Sequence, residues 1–113
     1  MSEHCLFCRI ISREVEAEII AENEHCLAFT DVDPQAPVHV LVVPKQHVTS
    51  LNEVTDPAMI GALGLMAVEV AREAGIADSG YRTVINTNGN GGQSVFHLHL
   101  HVLGGRKLTW PPG

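Results

Sequence analysis

Along the chain the spacing of apolar and polar positions changes several times, and each change marks an element. Leu6, Phe7, Ile10 and Ile11 share one face at helical spacing, which predicts a short helix over 6–11. Glu18–Glu22 and Cys26–Thr30 are short β-prone runs on either side of the polar pair Asn23-Glu24, the pattern of a hairpin. Pro34 and Pro37 force a loop over 33–37, and the β-branched run His39–Val43 then predicts a central strand ending at Pro44. Asp56 followed by Pro57 opens the only long helix and Gly75 closes it, with Ile60, Leu63, Ala67, Val70 and Ala71 on one face. Tyr81–Asn86 is the fourth strand, Thr87–Gly92 a Gly/Asn-rich loop, and Val95–Leu103 the fifth strand.

This order predicts an α+β fold, a five-stranded antiparallel sheet with one long helix and a short N-terminal helix. A doubly wound sheet is excluded because only one helix is long enough to cross between parallel strands. At 113 residues and 12.2 kDa the whole of 1–113 is expected to form a single domain, with 45% hydrophobic and 18% charged residues in ordinary globular proportion.

The net charge of −6 argues against nucleic acid as a partner, since duplex contact needs clustered Lys and Arg. A phosphate ligand would have to be held locally. No apolar run approaches the roughly 20 residues that span a bilayer, and 1–4 lack the pattern of a signal peptide, so no membrane partner and a cytoplasmic location are expected. Of the three cysteines, Cys26 lies in a strand and is expected in the core, while His4 and His25 are expected in solvent.

Within the fifth strand, His97, His99 and His101 alternate with Leu98, Leu100 and Val102, so an ideal strand puts three imidazoles on one face, each roughly 7 Å from the next. Three imidazoles can bind a metal with one open position or can handle a phosphoryl group by nucleophilic and acid/base chemistry. The preceding Asn88-Gly89-Asn90-Gly91-Gly92-Gln93-Ser94 could be a plain hairpin loop, but beside the histidines its glycine amides and the Ser94 hydroxyl favour phosphate.

The stretch His97–Leu103, read as His-φ-His-φ-His-φ-φ with φ apolar, resembles the signature of the histidine triad (HIT) family. Gln93–Phe96, Gly104-Gly105-Arg106, the ending Trp110-Pro111-Pro112-Gly113 and the segment Ala36–Lys45 extend the likeness over nearly the whole chain and point to the Hint branch. The resemblance implies a homodimeric purine nucleoside phosphoramidase, a hydrolase that cleaves the P–N bond through a nucleotidyl-histidine intermediate and needs no cofactor for the chemistry. It implies His99 as nucleophile, His101 as proton donor, His39 in a proton relay, and His97 as a further active-site histidine. It places Asn86, Gly92, Gln93 and Ser94 at the phosphate, Asp31 on the ribose, and Leu6, Phe7, Ile10, Phe29 and Val32 around the nucleoside. Trp110 would reach toward the partner subunit's site. The alternatives are a nucleotide-binding scaffold of little turnover, a dinucleoside polyphosphate hydrolase, and a catalytic three-histidine metal centre.

Cys5-Leu6-Phe7-Cys8 is a Cys-x-x-Cys pair whose thiolates can grip one tetrahedral ion, although free thiols or a buried apolar pair would give the same spacing. HIT proteins of bacterial type with this pair resemble a zinc-binding subset. That resemblance implies a structural zinc on Cys5, Cys8, His47 and His97.

Overall fold

The computed structural model describes residues 4–113, so the first three residues of the expected 1–113 unit lie outside the described residues. Its elements are α1 (Leu6–Ile11), β1 (Ile19–Glu22), β2 (Cys26–Thr30), β3 (Val38–Pro44), α2 (Pro57–Glu73), β4 (Tyr81–Val84), α3 (Asn88–Gly91) and β5 (Leu100–Gly104). The five strands form one sheet in the order β1-β2-β3-β5-β4, with every neighbouring pair antiparallel, as the pattern of the sequence predicts. The β1–β2 turn is made by Asn23, whose Oδ1 accepts from the amides of His25 at 2.9 Å and Cys26 at 2.8 Å.

The long helix starts and stops where its punctuation lies. Asp56 caps it by accepting the Ala58 amide at 2.9 Å, with Pro57 pre-set for the first turn. At the other end Gly75 takes φ 75°, which lets the Ile76 amide reach the Ala71 carbonyl at 3.0 Å and drops the Ile76 side chain into the core. Leu63, Met66, Ala67, Val70 and Ala71 pack on the sheet face formed by Ala28, Val40, Val42, Leu100 and Val102, with Leu98 added from the chain just before the last strand. Ile60, expected on that face, stands at its margin and is 36% exposed, and Met66 lies fully in the contact.

The opposite face is covered in part by α1. Phe7, Cys8 and Ile10 pack there on Leu27, Phe29, Leu41 and Val43. The odd-numbered positions of β3 therefore carry Leu41 and Val43 under the helix and His39 beyond it. In the β3–β5 register Leu41 lies opposite His101 and His39 opposite Leu103, so His39 and His101 are diagonal neighbours on this same face.

Beyond shifts of a single residue at strand ends, three features differ from the predicted ones. The fourth strand ends at Val84 rather than Asn86. The stretch expected as a loop contains one helical turn, Asn88–Gly91, held by the Gln93 side chain, whose Oε1 accepts from the Asn88 amide at 2.9 Å. The fifth strand begins at Leu100 rather than Val95 because the chain before it bonds outside the sheet: the Leu98 amide donates to the Val48 carbonyl at 2.7 Å, and Gln93 Nε2 to Thr49 and Val95 carbonyls at 2.7 and 3.1 Å. Alternation survives without sheet pairing, since Leu98 is buried in the α2 core while His97 and His99 point the other way.

Candidate functional site

The three triad histidines do not act as one row. His97 turns away from the other two toward the start of α1, where Cys5 is the N-cap and its sulfur accepts from the Cys8 amide at 3.3 Å. There Cys5 Sγ lies 3.2 Å from His97 Nδ1, Cys8 Sγ 3.5 Å from the same atom and 3.4 Å from His47 Nδ1, and the two Nδ1 atoms are 3.1 Å apart. The Pro44 carbonyl can only accept, so its 2.8 Å bond to His97 Nε2 puts the ring proton there and leaves the Nδ1 lone pair facing the thiols. His97 is fully buried, and burial pushes its pKa from 6.5 down to about 4, the facing His47 and His99 rings adding to the effect and the Pro44 bond opposing it.

These four donors could hold a metal ion. Ligand lengths of about 2.3 Å to sulfur and 2.0–2.1 Å to nitrogen give tetrahedral edges of roughly 3.5 Å for S–N and 3.3 Å for N–N, close to the separations here. Both ligand types, the neutral imidazole and the carbonyl that orients it from behind match a closed four-ligand site.

His99 begins the second centre. Its Nδ1 donates to the His97 carbonyl at 2.8 Å, which leaves Nε2 as the nitrogen with the lone pair. Phe7 packs its ring against both His97, at 5.9 Å between centroids, and His99, at 5.1 Å, and so stands between the two centres. His99 and His101 are 5.0 Å apart between centroids, with their ring planes at 59°.

A chain of polar contacts fixes the proton on His101. The Gln35 backbone amide donates to His39 Nδ1 at 3.0 Å, so the neutral His39 ring carries its proton on Nε2. That Nε2 lies 2.9 Å from His101 Nδ1 and 3.3 Å from Asp31 Oδ2. His101 Nδ1 is then the acceptor, and the His101 proton sits on Nε2, which among the described residues is the buried side-chain nitrogen without a partner. Burial lowers His101 from 6.5 to about 4, helped by the His99 and His39 rings and opposed by Asp31. His39 is lowered too, first by burial, with Asp31 and Asp33 opposing. Asp31, His39 and His101 converge closely enough to grip an ion, but the Gln35 amide places a proton on the nitrogen that would ligate, so the trio reads as a hydrogen-bonded chain.

His99 and His101 open into a cavity of about 250 Å³. Leu6, Phe7, Ile10, Phe29, Asp31, Val32 and Ser94, all expected at the ligand, line it. Val32 is 97% exposed and forms the rim. Val15, Ala17, Leu41 and Val95 complete the apolar wall and escaped the sequence reading; Leu41 could have been found from the two-residue period it shares with His39. Asn86, Gly92, Gln93, His39 and Trp110 do not line this cavity. Gln93 is buried and clamps the loop, the Gly92 amide is already bonded to the Gly89 carbonyl at 3.0 Å, and Trp110 is 81% exposed. His4 and His25 are exposed and Cys26 is buried in the core, as expected.

With this geometry the comparison with known proteins is decisive for the family. The model of the HIT domain matches residues 12–108. The chain belongs to the HIT family. A HIT-like protein of Synechococcus elongatus, itself uncharacterized, is 54% identical over 115 residues, with 100% of both chains covered. Among solved structures, a HIT family hydrolase from Legionella pneumophila is 45% identical at a TM-score of 0.95, covering 97% of this chain and 100% of that one. A HIT family hydrolase from Clostridium thermocellum is 40% identical at a TM-score of 0.94, with 96% of each chain covered. The α+β fold is thus that of HIT family hydrolases, and the chain is HIT hydrolase-like. Among the described residues no helix is long and apolar enough to cross a membrane.

Proposed function

We propose that this HIT protein hydrolyses the P–N bond of purine nucleoside 5′-phosphoramidates, in the manner of the Hint branch, through a nucleotide bound covalently to His99. The observation that supports the reading is two rings lining one cavity: His99, whose Nε2 keeps its lone pair because Nδ1 donates to the His97 carbonyl, and His101, whose Nε2 carries the proton set by the Gln35–His39 chain. The apolar wall suits a base, the Asp31 carboxylate suits ribose hydroxyls, and the Ser94 hydroxyl at the same cavity suits a phosphoryl oxygen.

In the first step His99 Nε2 forms a bond to phosphorus, the P–N bond breaks, and the amine leaves with the bonding pair and a proton from His101 Nε2. An anionic phosphoryl group beside Nε2 offsets the burial that lowers His101, so the ring is charged in the complex. Water then attacks phosphorus, the bond to His99 breaks, and the proton of the water returns to His101. Asn86, Gly92 and Gln93 act around the phosphate as loop elements, and the protein works as a homodimer in which Trp110 of one subunit shapes the leaving-group side of the other. Zinc on Cys5, Cys8, His47 and His97 is structural, pinning α1 to the chain that bears His99; His97 then contributes to catalysis through its carbonyl. No metal is needed for the chemistry.

Turnover of adenosine 5′-phosphoramidate by the purified protein, with His99→Ala abolishing both turnover and a trapped nucleotidyl adduct, is the expected result. Inactivity of the wild type on every phosphoramidate tried would overturn the proposal and leave a nucleotide-binding scaffold. Preferential cleavage of dinucleoside polyphosphates would replace it with that branch of the family.

A further inference from the structure

Asp31 enters the reading above as the acceptor of ribose hydroxyls, but both its oxygens also face groups of this chain. Oδ1 accepts from the Asp33 amide at 2.9 Å, and Oδ2 lies 3.3 Å from His39 Nε2. A carboxylate offers about four acceptor positions. One is taken by the Asp33 amide, one faces His39 Nε2, and two remain for a pair of adjacent hydroxyls. Asp31 is also partly buried, with 18% of its side chain exposed, so solvent screens its contact with the fully enclosed His39 only weakly.

We propose that Asp31 is a positioning residue for the His39–His101 pair as well as the sugar acceptor, so that one carboxylate joins ribose recognition to proton delivery. The proposal rests on the phosphoramidase reading. The physical need arises from the tautomers. In the resting pair His39 Nε2–H points at His101 Nδ1. To serve as an acid His101 must carry protons on both nitrogens, and its Nδ1–H would then meet the His39 Nε2–H, donor against donor. The Gln35 amide prevents His39 from moving its proton to Nδ1. Asp31 Oδ2 is the second acceptor to which the His39 Nε2–H can turn. His101 can then give its Nε2 proton to the leaving amine, keep the one on Nδ1, and take a proton back on Nε2 from the attacking water. The negative charge of Asp31 favours the charged pair through both rings, in the direction in which it opposes burial at His39 and His101.

Asparagine at this position separates the two roles. The Asp33 amide needs the side-chain oxygen, so the amide NH₂ of Asn would face His39 Nε2–H and remove the second acceptor. The experiment measures kcat and KM of wild type and Asp31→Asn on adenosine 5′-phosphoramidate and on its 2′,3′-dideoxy analogue, which has no hydroxyls to recognise. The expected outcome is a kcat lowered by about 10-fold or more on both substrates, as for impaired general acid catalysis. In a His39→Ala background the same Asp31 change should have no further effect on the dideoxy substrate. Unchanged kcat of Asp31→Asn on the dideoxy substrate would overturn the proposal and leave a sugar-only role. If Asn fails to fold, Asp31→Ser keeps an acceptor for the Asp33 amide and loses the charge. Should the wild type turn over neither substrate, the phosphoramidase reading fails by itself. The ¹⁵N resonances of the His39 ring, compared between wild type and the variant without substrate, then decide: a displaced Nε2 signal supports the Asp31 contact, and an unmoved one refutes it.

Discussion

Acidification should cost this protein stability through His101 in an amount that can be worked out beforehand. An unfolded histidine titrates near 6.5, while the folded ring is held at about 4, chiefly by burial. Between those values the unfolded chain takes up a proton that the folded one refuses. Stability is therefore complete above about pH 6.5, falls as the pH drops, and levels off near pH 4. At one pH unit per 1.36 kcal/mol, His101 alone removes about 2 kcal/mol between pH 7.5 and pH 5. Denaturant unfolding of wild type and His101→Gln at the two pH values gives the number as a difference within each protein, which cancels any change in packing. His97 belongs to the metal cluster, which is the same in both proteins, so its own response to acid cancels in the comparison. The variant should lose about 2 kcal/mol less than the wild type on acidification. Adenosine monophosphate, whose phosphate would favour the charged ring, should shrink the wild-type drop as well. Equal drops in the two proteins, within roughly 0.5 kcal/mol, would refute the account of the buried ring.

Other features yield sharper yes-or-no results. The purified wild type should carry one zinc ion per chain by elemental analysis, lost in Cys8→Ser together with several degrees of melting temperature; a wild type that neither contains nor takes up zinc would end the structural-metal reading. Gln93→Ala removes three hydrogen bonds that tie 49, 88 and 95 together and should destabilise by about 2–3 kcal/mol in urea titration. At Gly105, where φ is 88° and a Cβ would come within 2.8 Å of the Pro37 ring, Ala should lower the melting temperature, whereas Gly61→Ala, with open space around it, should not.

The fold was legible where local chemistry and tertiary packing agree. Asp56-Pro57, Gly75 and the Asn23 turn mark element ends by groups that bond within a few residues, so a single sequence displays them. The fifth strand was overextended because alternation reports which way side chains point, while sheet membership depends on a partner strand; at 95–99 the backbone bonds to 48 and the Gln93 side chain, which no local pattern announces. The candidate site divides in the same way. Spacing pointed only to the Cys5–Cys8 pair and the row of histidines; His47 and His97 as further metal ligands, the cavity wall, and His99 and His101 as the catalytic pair were what the family resemblance implied. That division follows from acceptors in the main chain: the Pro44 carbonyl turns His97 toward sulfur, and the His97 carbonyl turns His99 toward the cavity.

The Gln35 amide carries this further. A proton at the heart of the proposed chemistry is placed by a peptide group, and a peptide group is the same whatever side chain it bears. Position 35 should then accept almost any amino acid with little loss of turnover, and a scan by alanine would pass it over as unimportant. Proline alone lacks the donor. An amide-to-ester exchange in the backbone at 35, which deletes the N–H and leaves every side chain in place, would expose a contribution that ordinary mutagenesis is blind to.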